Sequence, residues 1–473
     1  MASHPAMIAD NNRAPVTSRS PSFIVSIVTI LGGQFVSGVI ALLAEILYAR
    51  LLGPAARGTI GLCVVTIAFA TLIGGLGGEG AIVYWTSRSR PHQNSYLPAV
   101  LSWGALGCCL ACGLWSWSFW KLQLPFLRGM SGSSAVVILF SIPAATFFAY
   151  SMALAGGYEQ FRLRSLCSAL RQVVGMTMFL LLLLAFGRQV ETALWANFIG
   201  LTIGTLTMVT LLRREIATSW TTASTLSNIR PTLTYALRGQ VGNLASFFTY
   251  RLDIFIVNYF LLPAQVGFYA LGVTISEALW QIPQAVASAL FPRTVRSADA
   301  NATQFTTFIL RQVLLLNLLG GLAMAAISPF VVPLIFGQRF QPSVSVIWWI
   351  LPGTIALSLA KVGCADLAGR GKNGYASVFA LFCFAVTAIL DWRLIPLMGI
   401  TGAALASSIA YCLDALLVLA ALRYEAKIRF LDILIPQSVD LQVYRAAVDR
   451  LKDIVRRTTF PHQRELLAPE QGE

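Results

Sequence analysis

Residues 250–293 read YRLDIFIVNYFLLPAQVGFYALGVTISEALWQIPQAVASALFPR, and this stretch decides the fold. Two apolar runs, each about the 20 residues a membrane-spanning helix needs, flank a tight turn at Leu261-Leu262-Pro263-Ala264. Arg251, Asp253 and Glu277 lie inside those runs, where a charge is expensive and usually functional. The turn has an echo: Pro54-Ala55-x-x-Gly58 matches Pro263-Ala264-x-x-Gly267 at an offset of 209 in a chain of 473 residues. The repeat points to two homologous halves facing each other, with these charges near the middle of a shared cavity.

Composition agrees. Hydrophobic residues make up 56% of the chain and charged ones 11%, with a mean hydropathy of +0.71. A soluble domain carries roughly 25% charge, so the chain is a polytopic membrane protein. The net charge of +14 therefore speaks to orientation, not to nucleic acid. All eight cysteines fall in apolar segments and read as packing residues. Cys109 and Cys112 have redox or metal spacing, but no second pair or histidine accompanies them. No cofactor is indicated.

Outward from the opening stretch, apolar runs of spanning length recur near 23–49, 58–86, 96–120, 132–156, 163–187, 190–212, 237–262, 266–292, 306–328, 343–368, 373–398 and 400–422. The first is too long for a signal-peptide core of about 7–15 residues and is expected to remain as a span. The expected organisation is a disordered cytoplasmic segment 1–22, a six-helix bundle 23–212, a connector 213–236, a second six-helix bundle 237–422 and a basic tail 423–473. An even number of spans returns the chain to its starting side. The halves are then related by a pseudo-two-fold along the membrane normal, with the site at their interface near the midplane. Lys and Arg concentrate on the side of both termini, which places those termini in the cytoplasm; Arg50 and Arg57 fall in the first outer loop. In the tail, Leu441, Tyr444, Val448, Leu451 and Val455 alternate at spacings of three and four, the pattern of a surface helix.

Depth along the spans, at about 1.5 Å per residue, puts Arg251 and Glu277 both roughly 20 Å from the cytoplasmic side. Arg251 and Asp253 are two apart, point to different sides of the helix and cannot pair directly. Arg251 either bridges to Glu277 or contacts a substrate. A shallower group comprises Glu79, Arg171, Arg311, Lys361, Asp366 and Asp414; its cations either snorkel to the interface or line a basic entrance. Arginine suits phosphate because its planar fork donates two hydrogen bonds at once. Glu45 and Asp391 fall toward the outer ends and are expected to be solvated. The cluster Gly74-Gly75-Leu76-Gly77-Gly78 serves either close helix packing or a hinge. Pro143, Pro283 and Pro352 are expected to bend their helices. There is no Walker-type loop, catalytic triad or metal cluster, and no loop long enough for a soluble catalytic domain.

Several stretches carry a resemblance. Ala49-Arg-Leu-Leu-Gly-Pro-Ala-Ala-Arg-Gly58 resembles the opening signature of bacterial polysaccharide-unit flippases of the multidrug/oligosaccharidyl-lipid/polysaccharide exporter superfamily. Arg251-Leu-Asp253 with the following turn, Ala289-Leu-Phe-Pro-Arg293, Pro333-Leu-Ile-Phe-Gly-Gln-Arg-Phe340 and Gly399-Ile-Thr-Gly-Ala-Ala-Leu-Ala406 are similar to that family in order and spacing. The likeness covers residues 23–422. It implies an all-α, V-shaped pair of six-helix bundles in the bacterial inner membrane, working by alternating access. It also implies translocation of an undecaprenyl-diphosphate-linked oligosaccharide for surface polysaccharide synthesis; a cation-coupled multidrug exporter of the same superfamily is the alternative. The implied partners are the lipid-linked substrate and membrane lipids, with polysaccharide polymerase machinery a further candidate and nucleic acid excluded. On this footing Arg251 is the first choice for diphosphate binding, with Arg171, Arg311 and Lys361 beside it, and Asp253, Glu277 and Glu79 are the ion-coupling candidates.

Overall fold

The computed structural model describes residues 23–88, 96–213, 216, 225–296, 300–372, 374–428 and 430–434. The polar N-terminus and the tail helix expected beyond Pro436 lie outside the described residues. Within them the chain is helical from end to end. In order come α1 (Phe23–Gly75), α2 (Gly78–Arg88), α3 (Leu97–Ser116), α4 (Gly132–Gly157), α5 (Phe161–Phe186), α6 (Val190–Leu211), α7 (Thr225–Phe260), α8 (Pro263–Glu277), α9 (Gln281–Arg296), α10 (Ala300–Phe336), α11 (Ser343–Gly369), α12 (Gly374–Met398), α13 (Ile400–Ala426) and the short α14 (Phe430–Leu434).

Nine of the described helical stretches are long and apolar enough to cross a membrane. The difference from the twelve expected has local causes. The first of the nine, Ser37–Gly75, joins parts of two expected spans, because α1 folds back at Gly53, whose φ of 82° and ψ of 178° interrupt the helix. Glycine carries no penalty for that positive φ, and Pro54 then restarts a helix whose first N–H would be unsatisfied anyway. The seventh expected span is α7, which carries Arg251 and Asp253 and begins with a polar segment. The eighth is split: α8 ends at Glu277, a 3-10 turn spans Ala278–Trp280, and α9 follows. Pro283 has no N–H to return to the carbonyl four residues earlier, which explains a break at this point. Pro143 and Pro352, by contrast, lie inside the unbroken α4 and α11.

The second span breaks as well. Leu76 and Gly77 adopt positive φ values of 45° and 77° between α1 and α2. The Tyr150 hydroxyl donates to the freed carbonyl of Gly75 at 2.7 Å, so the break is satisfied from α4. The glycine cluster interrupts the helix and lets neighbours approach closely, as the packing reading expects.

The first bundle packs α1 against α3, α4 and α5, and α6 against α4 and α5. The second is centred on α11, which packs on α8, α9, α10 and α13, while α12 bridges α7 and α13. All eight cysteines are free, and most are buried or half-buried, as packing residues should be. Cys109 alone is exposed, on α3.

Candidate functional site

The two copies of the echo touch each other. A Cβ added to Gly58 would lie 1.9 Å from the Pro263 carbonyl oxygen, and one added to Gly267 would lie 2.1 Å from the Pro54 carbonyl oxygen. The contact is reciprocal, each glycine meeting the proline that opens the other copy's helix. That is the signature of a two-fold interface. Only residues without a side chain allow backbones this close. Two further ties join the halves at this end. Asn258 Nδ2 donates to the carbonyls of Phe126 and Arg128 at 2.9 and 3.0 Å. Arg50 Nε donates to the Ile335 carbonyl at 2.6 Å, and its Nη2 to the Leu334 carbonyl, at the C-terminal end of α10. At the opposite end Gln240 Nε2 donates to the Leu72 carbonyl at 2.6 Å, and Gly77 sits against Ala236, where a Cβ would come within 2.2 Å of the carbonyl oxygen. Phe69 of the first half stacks on Phe247 of the second, with ring centroids 5.6 Å apart.

Between these ends lies a cavity of about 370 Å³ walled by α1, α5, α6, α7 and α8. Three arginines line it: Arg57, Arg171 and Arg251. Two bring their own counter-charge. Arg57 Nε is 2.6 Å from Glu45 Oε2, and Arg251 grips Glu277 with both terminal nitrogens, at 2.8 and 2.9 Å. Both pairings bear on expectations. The bridge between Arg251 and Glu277 is one of the two alternatives their equal depth allows. Arg57 overturns its own: it is helical, not in an outer loop, and is 4% exposed. Glu45 pairs with it while keeping a side chain 24% exposed on the cavity wall. The helix resumes directly at Pro54, so Arg57 sits one turn inside the second span.

Arg171 is different. Its Nη1 donates to Asn197 Oδ1 at 3.3 Å, its guanidinium lies 5.5 Å from the Phe148 ring centroid, and its Nε is buried without a hydrogen-bond partner. No carboxylate of the described residues lies within ion-pair distance of it. It also lines a second, adjoining space of about 510 Å³ that contains Glu79, Asn243 and Ser246. Three arginines thus face two paired carboxylates here, and the uncompensated charge is Arg171.

Asp253 points the other way from Arg251, as their spacing requires. It is 1% exposed and accepts hydrogen bonds from the Tyr269 hydroxyl, from the Ile254 N–H at 2.7 Å and from Ser407 Oγ at 3.2 Å. Asp391 stands near it inside the second bundle, fully buried and with both carboxylate oxygens unpartnered. This corrects the expectation that Asp391 is solvated near an outer end. Position along a span measures depth in the membrane, not exposure within a bundle, and α12 turns this residue inward. A buried carboxylate without a partner is costly unless a proton or cation neutralises it.

The remaining candidates separate. Glu79 is exposed in the first turn of α2 and lines the second space. Arg311 is 8% exposed, and its Nη1 donates to the Asp432 carbonyl at 2.8 Å, holding α14 against α10. That contact, between residues 121 apart, gives Arg311 a structural task away from the shared cavity. Asp366 is buried and paired with Arg370 at 2.6 Å. Lys361 lines a third cavity, within the second bundle. Among the described residues no group of His, Cys, Asp and Glu has the makings of a metal centre.

Comparison with known proteins adds the following. Residues 25–298 match the family described as "Polysaccharide biosynthesis protein". The "Probable low-salt glycan biosynthesis flippase Agl15" of Haloferax volcanii is 23% identical over 242 residues, and the match spans 50% of this chain and 50% of that protein. Among solved structures, "Lipid II flippase MurJ, inward closed conformation" superposes with a TM-score of 0.70 at 13% identity, covering 91% of this chain and 99% of that one. An inward-facing multidrug resistance MATE family transporter of the MOP superfamily follows at 0.63 and 14%, covering 82% and 96%. At such identities the structural likeness shows a shared two-bundle fold.

Proposed function

The chain belongs to the polysaccharide biosynthesis protein family, and on that premise we propose that it moves a lipid-linked oligosaccharide across its membrane by alternating access. The observation that carries this is Arg171. A diphosphate-linked lipid brings concentrated negative charge into a low-dielectric space, where it needs a cation not already neutralised. Arg57 and Arg251 are held by Glu45 and Glu277, whereas Arg171 has no carboxylate of the described residues within ion-pair distance and stands on the wall shared by two cavities. Its planar fork can take two phosphate oxygens, and charge-assisted bonds of that kind are roughly twice as strong as neutral ones. The paired arginines then shape the field around the substrate, and Arg251 moves from first choice to a supporting role.

In this reading the Gly58–Gly267 contact is the closure that parts for release, and the Gln240–Leu72 and Gly77–Ala236 contacts form the closure on the loading side. The positive-inside bias supports loading from the cytoplasm, with both termini on that side. In a bacterium the membrane is the inner one, and polysaccharide polymerase machinery receives the product. Asp253 and Asp391 are the coupling pair: a proton or monovalent cation taken up there relieves the unpartnered Asp391, and Tyr269 lies on the same helix as Gly267 to transmit the change.

The test is made in a host lacking its own flippase, with Arg171→Ala and Arg171→Lys at matched membrane levels. The reading expects Ala to abolish surface glycan and to accumulate lipid-linked intermediate in the inner leaflet, with partial recovery by Lys. Normal glycan with Ala refutes it. A lost resistance to cationic drugs without any change in lipid-linked intermediate supports the drug-exporter alternative.

A further inference from the structure

We propose that a separate cavity inside the second bundle is a specificity pocket for an acidic sugar of the glycan, with Lys361 as the residue that recognises its carboxylate. The inference rests on the glycan-translocation reading and adds the chemical class of the cargo. The cavity has a volume of about 450 Å³, within the range of small-molecule sites. It is walled by α7, α9, α11, α12 and α13, apart from the three arginines. Ser246 lines both it and the space that contains Arg171, so the two are neighbours, and in this proposal sugars held by their diphosphate at Arg171 extend toward the pocket at that residue.

The lining is largely small and apolar, and against it stand one cation, Lys361, and a few hydrogen-bonding groups, among them Gln284 and Asp414. Lys361 Nζ is poised 4.5 Å from the Trp280 ring centroid and 5.4 Å from that of Tyr250. Aromatic faces of this kind hold an ammonium in place without neutralising it. No carboxylate of the described residues lies within ion-pair distance of Lys361, although Asp414 lines the same cavity. A lysine that served only the fold would close that gap, or would reach along its stem to water. Held apart, Lys361 can bind a carboxylate while Asp414 accepts sugar hydroxyls and the Gln284 amide supplies further hydrogen bonds. A neutral sugar would fill the same volume and leave the ammonium dry and unpaired. Sites built around such a group discriminate against ligands that lack its partner.

The experiment uses the full-length protein in proteoliposomes and two synthetic polyprenyl-diphosphate disaccharides, one ending in glucuronate and the other in glucose. The initial rate of leaflet transfer is measured for wild type, Lys361→Gln and Lys361→Arg. Wild type is expected to move the glucuronate lipid about tenfold faster or more, the factor worth one charge-assisted hydrogen bond. Lys361→Gln should bring the ratio of the two rates to one, and Lys361→Arg should keep it well above one. Equal wild-type rates overturn the inference. So does an equal loss of both rates in Lys361→Gln, which would assign Lys361 to the diphosphate or to the scaffold. If wild type moves neither lipid, the translocation reading falls and this inference falls with it.

Discussion

Replacing Gly267 by alanine tests the closure between the halves. The added Cβ would lie 2.1 Å from the Pro54 carbonyl oxygen and 3.1 Å from the Gly58 nitrogen. The atom met is backbone at the start of a helix, so no side chain can swing aside. Restoring an ordinary contact of about 3.3 Å requires the helices to part by roughly 1 Å, and overpacking of this kind costs about 1–3 kcal/mol. Because the strain exists only while the halves touch, it acts on the closed state alone. The ratio of open to closed at this end should then rise about 5- to 150-fold. The readout is alkylation by a membrane-impermeant maleimide of Thr274→Cys, an exposed position lining the arginine cavity, in a background freed of the eight native cysteines. Labelling from the release side should accelerate in Gly267→Ala, and transport should fall. Gly58→Ala should act alike, since its Cβ would come within 1.9 Å of the Pro263 oxygen. The double variant should show less than the sum, because both strain one contact. Unchanged labelling in both single variants, at normal yield of folded protein, refutes the closure.

Other outcomes follow from the same contacts. Arg251→Ala leaves Glu277 half-buried and unpaired; its loss of thermal stability in detergent should exceed that of the Arg251→Ala/Glu277→Ala double variant, with a difference of about 1 kcal/mol or more. Equal losses would mean that the stranded Glu277 carboxylate carries no burial penalty. Asp391→Asn fixes in a neutral form the carboxylate that has no partner, so transport should lose its dependence on the cation or proton gradient while substrate binding persists. Retained gradient dependence would move coupling elsewhere. Glu191 accepts hydrogen bonds from Ser131, Ser133 and Ser134 at 2.6, 2.7 and 3.2 Å, which tie the start of α4 to the start of α6. Glu191→Ala should destabilise the first bundle by about 1–3 kcal/mol, read as a lower Tm with transport by the surviving protein intact.

Much of this arrangement is legible in local sequence pattern. Helical periodicity alone separates Arg251 from Asp253, and the two do face different partners. Counting residues along spans brings Arg251 and Glu277 to one depth, where they pair. The Pro-Ala-x-x-Gly echo announces two halves. That its copies touch one another is not legible, because a repeat in sequence does not say which surfaces meet. The failures share a cause. Arg57 is hidden by a Gly-Pro pair that reads as a loop but folds as a kink between two continuous helices. The place of Asp391 near a helix end suggests solvation, whereas its burial depends on which face α12 turns to α13. Arg311 reads as an entrance cation until the chain 121 residues later returns a carbonyl to it. Each depends on contacts between segments far apart in the chain, and hydropathy along one helix carries no record of them.

The central claim is that Arg171 holds the anionic head of a lipid-linked glycan within the cavity between the halves. The most direct test is leaflet transfer of a polyprenyl-diphosphate oligosaccharide by purified protein in proteoliposomes, comparing wild type with Arg171→Ala and Arg171→Lys. The account predicts transfer by wild type, a loss of about tenfold or more in Ala and partial recovery in Lys, with all three equally folded. Wild-type rates from Arg171→Ala would contradict it.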